Sequence, residues 1–183
     1  MVSEDDRHLI ERFKHGDLLA FEALVRKYQD RTYNLCRRML HDTQDAEDAA
    51  QDVFVKAYRN LVKFSSAEAS FNTWLYRITI NTCLDYRKKS RLEPLKDEAF
   101  GKDLPSEEPS PEQLYQSKET GKRIDTALEK LPKKLRAAIV LKEIEGLSYE
   151  EIAQVLETSV GTVKSRISRA REALVQILQK NNE

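Results

Sequence analysis

The chain has 183 residues, 40% hydrophobic and 34% charged, enough for one domain or two small ones with modest cores. Lys plus Arg equals Asp plus Glu at 31 each, so no global field draws it to nucleic acid and any basic surface has to be local. No apolar run approaches the ~20 residues that span a bilayer, the start MVSEDDRH is acidic, and Cys36 and Cys83 lack CxxC spacing, which points to a cytoplasmic chain with reduced thiols and no membrane insertion.

Five glycines and five prolines are few, and strand-like alternation is scarce, so the expected class is all-α. Leu9, Ile10 and Phe13 mark a first helix. Gly16-Asp17 breaks and recaps it before Ala20, Phe21, Leu24, Val25 and Tyr28, a pattern extended by Tyr33, Cys36, Met39 and Leu40. A helix capped by Asp42 then buries Ala46, Ala49, Ala50, Val53, Phe54, Ala57, Tyr58 and Leu61. Its other face carries Asp45, Asp48, Gln51, Asp52 and Lys56. In FNTWLYRITIN, Phe71 to Asn81, the spacing of Phe71, Trp74, Leu75, Ile78 and Cys83 makes Trp74 a core residue. Asn72, Thr73, Tyr76, Arg77 and Asn81 fall on the opposite, polar side. Arg87, Lys88, Lys89 and Arg91 follow, a local basic run suited to phosphate or to a solvated helix end.

Between Leu92 and Glu119 the character changes. Pro105, Pro109 and Pro111 fall here, with eight acids against three lysines, the composition of an extended, solvated linker. Beyond it, Ile124, Ala127, Leu128 and Leu131 begin a second helical set. Pro132 suits the first turn of a helix that buries Leu135, Ala138, Ile139 and Ile144 before Gly146.

LSYEEIAQVLETSVGTVKSRISRAREAL, Leu147 to Leu174, is the most specific stretch. Ser148 with Glu151 makes a capping box for a short helix burying Ile152, Ala153, Val155 and Leu156. Glu157-Thr158 turns the chain, and Ser159 caps a second helix burying Val160, Val163, Ile167, Ala170 and Leu174. Gly161, Lys164, Ser165, Ser168, Arg169 and Arg171 lie on or near its outer face. This is a helix-turn-helix, whose second helix presents cations and hydroxyls to a major groove. The plainer reading, an αα-hairpin with a solvated basic face, is disfavoured by the capping box, the short turn and the crowding of cations.

SVGTVKSRISRAREAL resembles the promoter-reading motif in region four of bacterial RNA polymerase sigma factors, the extracytoplasmic-function group of the sigma-70 family. LPKKLRAAIVLKEIEGLSYEEIA is similar to the rest of that region. Thr158 departs from the usual apolar turn residue, which would loosen the turn. DAEDAAQDVFVKAY, Asp45 to Tyr58, resembles the sigma helix that docks on the polymerase clamp, and FNTWLYRITIN the segment that opens and reads the minus-ten element. The resemblance implies two small helical domains joined by a flexible acidic linker: region 2 over 1–91, a linker over 92–117 and region 4 over 118–183. It implies minus-thirty-five contacts from Thr162, Lys164, Ser165, Arg166, Ser168, Arg169 and Arg171. For the minus-ten strand it implies Phe64, Ser65, Ser66, Ala67, Asn72, Tyr76, Arg77, Asn81, Arg87 and Lys88, with the loop before Phe71 and Asn81 holding a flipped base. Polymerase docking falls to Asp45, Asp48, Gln51, Asp52 and Lys56. Core RNA polymerase through its clamp and flap, promoter DNA and an anti-sigma factor are the implied partners, with no catalysis, cofactor or metal.

Two other readings stay open at this point. An autonomous helix-turn-helix transcriptional regulator would bind duplex tightly by itself, which the neutral total charge and short basic face oppose. A helical metal-dependent hydrolase would use Asp45, Asp48 and Asp52, but no second ligand cluster accompanies them, and His8, His15 and His41 stand apart.

Overall fold

The computed structural model describes residues 4–65, 69–90, 121 and 123–180, and every regular element among them is helical. The linker expected over 92–117, and Ser66 and Ala67, lie outside the described residues.

Helix α1 (Glu4–Lys14) ends where Gly16 takes φ +96°, and Asp17 caps α2 (Leu18–Leu40). One Asp17 oxygen accepts the Leu19 N–H at 3.0 Å and the other the Arg12 guanidinium at 2.6 Å, so Arg12 holds the carboxyl below its usual pKa. Asp42 caps α3 (Thr43–Asn60) through the Asp45 N–H at 2.8 Å, and α4 (Phe71–Ser90) follows a short 3-10 turn, Leu61–Lys63. Ile10, Phe13, Leu24, Tyr28, Val53, Leu61, Phe71 and Trp74 meet in one core. Trp74 is buried there as its spacing predicts, its ring 5.2 Å from Phe64 and 5.6 Å from Phe71. Tyr58, expected inside, is 45% exposed: it closes the rim of the core edge-on to Phe13 and Phe21.

In the second half, α5 (123–129) leads to α6 (Lys133–Ile139), with Pro132 at the cap position rather than in the first turn. Helix α6 widens into a π turn, Val140–Ile144, closed by the Glu145 N–H on the Val140 carbonyl at 3.1 Å. That turn carries Leu141 inward and leaves Ile144 outside, and Ile124 is exposed as well, contrary to the apolar pattern. Gly146, at φ +71°, then redirects the chain into α7 (Tyr149–Val155) and α8 (Val160–Lys180).

The halves are not independent. Leu35, Cys36, Met39, Tyr76 and Ile80 of the first belong to the same buried cluster as Leu128, Leu131, Leu141, Ile152 and Ile167 of the second. Helix α7 lies against α4, and α6 against α2.

Candidate nucleic-acid interface

The helix-turn-helix is built by local chemistry. Ser148 Oγ accepts the Glu151 N–H at 3.1 Å while the Glu151 carboxylate accepts the Ser148 N–H at 2.8 Å, completing the capping box and depressing the Glu151 pKa. Helix α7 ends in a Schellman turn: the Thr158 N–H reaches the Ala153 carbonyl at 3.0 Å and Glu157 takes φ +47°, a left-handed position that glycine usually fills. The turn is therefore closed despite Thr158. Ser159 caps α8, accepting the Thr162 N–H at 3.2 Å.

Lys164, Ser165, Ser168 and Arg169 emerge exposed on one face of α8, opposite the buried Val163, Ile167 and Ala170. Thr162 and Arg166 are half-buried beside them. Ser165 bonds the Thr162 carbonyl at 2.9 Å and Ser168 bonds Glu172 at 3.1 Å, so both hydroxyls are pre-oriented along the helix. Arg171 is exposed but tied to Glu143 at 2.5 Å. Lys164 Nζ stands 5.7 Å from the Tyr149 ring centre. Such a face offers a charged fork, an ammonium and hydroxyls at the N-terminal half of an open helix, the groups that pair with base edges and phosphates.

Beside the first helix of this motif, between it and the first half, a cleft of about 480 Å³ is lined by Asn60, Lys63, Phe64, Ser65, Ala69, Trp74, Arg77, Ile78 and Gln154. Phe64, Ser65 and Arg77 come together there as the sequence suggests. Asn72 and Asn81 do not line it: Asn72 is half-buried, and Asn81 is exposed one turn beyond Arg77. Tyr76 corrects the sequence reading, which put it on an open polar face. It is 3% exposed because the second half covers it, and its hydroxyl donates to Glu145 at 2.5 Å. Burial, and then that carboxylate, push its pKa far up. Thr73 is likewise buried, bonded to Ser70 Oγ. The backbone of Arg87 and Lys88 continues α4, and their side chains lie outside what is described.

On α3, Asp48, Gln51 and Asp52 are exposed and Asp45 is half-buried. Asp52 accepts the Tyr86 hydroxyl at 2.8 Å, and Lys56 turns to α4, donating to Thr82 Oγ1 at 2.9 Å. The acidic stripe is thus Asp45, Asp48 and Asp52, with Lys56 withdrawn from it. Among the described residues no group of three or more His, Cys, Asp or Glu side chains is placed to hold a metal ion, and no helix is long and apolar enough to cross a membrane.

A family model described as Sigma-70 region 2 matches residues 24–93, and one described as Sigma-70, region 4 matches 121–174. The chain belongs to the sigma-70 family of RNA polymerase sigma factors. Within it, the extracytoplasmic-function group is the one it resembles throughout. It is 41% identical over 187 residues to the RNA polymerase sigma-H factor of Pseudomonas aeruginosa, covering 98% of this chain and 96% of that one. To the ECF RNA polymerase sigma-E factor of Escherichia coli strain K12 it is 41% identical over 177 residues, 92% of each chain. Among solved structures it is similar to CnrH in complex with the cytosolic domain of CnrY, with TM-score 0.72, 30% identity and coverage of 97% of this chain and 99% of that one. It is also similar to RpoE bound to the anti-sigma factor NepR from Bartonella quintana, with TM-score 0.68, 25% identity and coverage of 87% and 96%. The protein is a sigma factor that directs promoter-specific transcription initiation, rather than an autonomous regulator that happens to carry a helix-turn-helix.

Three features of the seam between the halves escaped sequence reasoning: Arg136, Glu145 and the pair Gln154 and Glu157. Arg136 carried one signal, an arginine inside the apolar run LRAAIVL. Glu157 was expected only as a turn residue, and Glu145 and Gln154 carried no signal of their own.

Proposed function

We propose that this sigma factor divides its work between residues 1–91, acting as region 2, and 118–183, acting as region 4, with 92–117 as the connection. The second half reads the minus-thirty-five element through Lys164, Ser165, Ser168 and Arg169, helped by Thr162, Arg166 and Arg171. The first half docks on the polymerase clamp through Asp45, Asp48, Gln51 and Asp52. It takes a base of the minus-ten strand at the cleft beside Phe64, Ser65 and Arg77. The protein is a non-enzymatic, cytoplasmic subunit: it lends specificity to core polymerase, which supplies the chemistry. The solved relatives bound to an anti-sigma factor support an anti-sigma protein as a further partner.

The observation that carries this reading is the exposed Lys164, Ser165, Ser168 and Arg169 row on a capped helix. Its cation count is small, which suits a subunit that borrows most of its DNA affinity from polymerase. Core polymerase mixed with the purified chain is expected to select and transcribe a promoter class from a genomic library that core alone ignores. Absence of any stable complex with core would overturn the proposal.

A further inference from the structure

Two hydroxyls of α4 reach across to the acidic face of α3. The Tyr86 hydroxyl donates to Asp52 Oδ2 at 2.8 Å, and Thr82 Oγ1, one turn earlier, accepts from Lys56 Nζ at 2.9 Å. Asp52 and Lys56 are four apart on one helix, and Tyr86 and Thr82 four apart on the other, so the two bonds form successive rungs between antiparallel helices.

That exchange of partners changes the charge the face presents. An acid and a lysine at i and i+4 of a helix ordinarily pair with each other and cancel. Here the lysine is drawn off to a neutral oxygen and the acid is held by a neutral donor, so Asp52 is oriented without being neutralised. Asp52 is exposed, and only Oδ2 of its carboxylate is engaged, which leaves Oδ1 to a partner on the same face as Asp45 and Asp48. The support behind it is stiff: Tyr86 is half-buried and packs on the core cluster shared by α2, α3 and α4, and Thr82 is 0% exposed. Burial, and then the Asp52 carboxylate, push the Tyr86 pKa up, so its hydroxyl remains a donor.

We propose that Tyr86 and Thr82 are positioning residues for polymerase docking: Tyr86 fixes the Asp52 carboxylate toward a basic partner, and Thr82 diverts the lysine that would otherwise cancel it. The inference rests on the docking role proposed for this stripe. An acid fixed before the encounter loses less side-chain freedom on binding, and one left uncancelled keeps its attraction for an incoming cation.

Surface plasmon resonance of the full chain on core polymerase at low ionic strength, beside thermal melts, tests this. Tyr86→Phe is expected to weaken core binding about fivefold while the melting temperature stays within a few degrees. Thr82→Val, which keeps the buried shape, should slow association about threefold as Lys56 swings back onto Asp52. In an Asp52→Ala background neither change should have any further effect, whereas residues that merely staple α3 to α4 would cause the same loss with or without Asp52. Wild-type binding by Tyr86→Phe overturns the orienting role, wild-type binding by Thr82→Val overturns the diversion of Lys56, and equal losses in the two backgrounds overturn both. The docking reading itself fails separately, and takes the inference with it, if Asp48→Lys, which touches neither bond, does not slow association.

Discussion

The guanidinium of Arg136 on α6 donates to the backbone carbonyl of Met39 at the end of α2, 2.9 Å away and 97 positions earlier in the chain. The same fork bonds the carbonyls of Leu128 at 2.6 Å, Leu131 at 3.2 Å and Glu129. A side chain that is 1% exposed thus closes the end of α5, the loop after it and the C-terminal turn of α2 at once. Cations favour helix C-termini, where carbonyls are left over, and here one cation serves two of them.

Arg136→Ala is expected to destabilise the protein by about 3 kcal/mol or more, because it strands several buried carbonyls and leaves a hole. Arg136→Lys should recover little, since an ammonium lacks the planar fork. Urea unfolding at constant m value measures both. A loss below ~1 kcal/mol for alanine would contradict the clamp.

Acid should attack the capping box of α7. The backbone N–H of Ser148 is the largest of the influences that hold the Glu151 pKa below its usual 4.5. The folded value lies below the unfolded one, so this stabilisation is present above pH 4.5 and is lost as pH falls through the folded value. Glu151→Gln should cost about 1 kcal/mol at pH 7 and correspondingly less at an acid pH below the folded value, where both chains carry an uncharged group. Thermal melts at the two pH values read the difference, and an equal gap at both would show that charge plays no part.

These two cases explain what was legible in the sequence. The capping box, the tight turn at Glu157-Thr158 and the apolar rows of α7 and α8 arise between residues close in sequence, so spacing reveals them. Arg136 and Glu145 act across the fold. Glu145 meets Arg31 114 positions away and Tyr76 69 away, and no local pattern encodes such partners. Tyr76 fell on the polar side of its helix by the same local logic, and only the packing of the second half turned it inward. Helix amphipathicity reports which face is apolar, and it is silent about which polar face a neighbouring domain will cover.

Docking on polymerase is best probed at Asp48. Asp52 also receives the Tyr86 hydroxyl, so changing it would disturb α4 as well. Asp48 is exposed, and its one described partner is Gln44 at 3.4 Å. Asp48→Lys is expected to leave the melting temperature within a few degrees while slowing association with core polymerase about tenfold, most clearly at low salt. Surface plasmon resonance at two ionic strengths checks this. Unaltered association would remove Asp48 from the docking face.

On the proposed recognition face, base reading and phosphate contact are expected to fall to different residues. Lys164 and Arg169 are exposed on the same face of α8, whereas Arg171 is held toward Glu143. Arg169→Ala or Lys164→Ala should relax preference among minus-thirty-five variants by about 1–3 kcal/mol at the affected position. Arg171→Ala should weaken all promoters alike and lower the slope of log affinity against log salt by about one. Holoenzyme binding across a promoter library at several salt concentrations distinguishes them, and equal effects on all sequences from Arg169 would reassign it to the backbone.

Trp74 and Asn81 lie two turns apart on α4 and should fail in different ways. Trp74 packs on Phe64 and Phe71 in the first core and also lines the cleft, so Trp74→Ala should cost about 3–5 kcal/mol. Its loss of promoter use would follow from unfolding as much as from lost contact. Trp74→Phe, which keeps the aromatic packing, should regain most of the stability. Asn81 is exposed, so Asn81→Ala should stay within about 0.5 kcal/mol of wild type while lowering open-complex formation at a cognate promoter. Permanganate footprinting of the melted minus-ten bases, read beside a thermal melt, separates the two effects. Full melting with the Asn81 variant would place the single-strand path on the cleft side of Arg77, away from the next turn of α4.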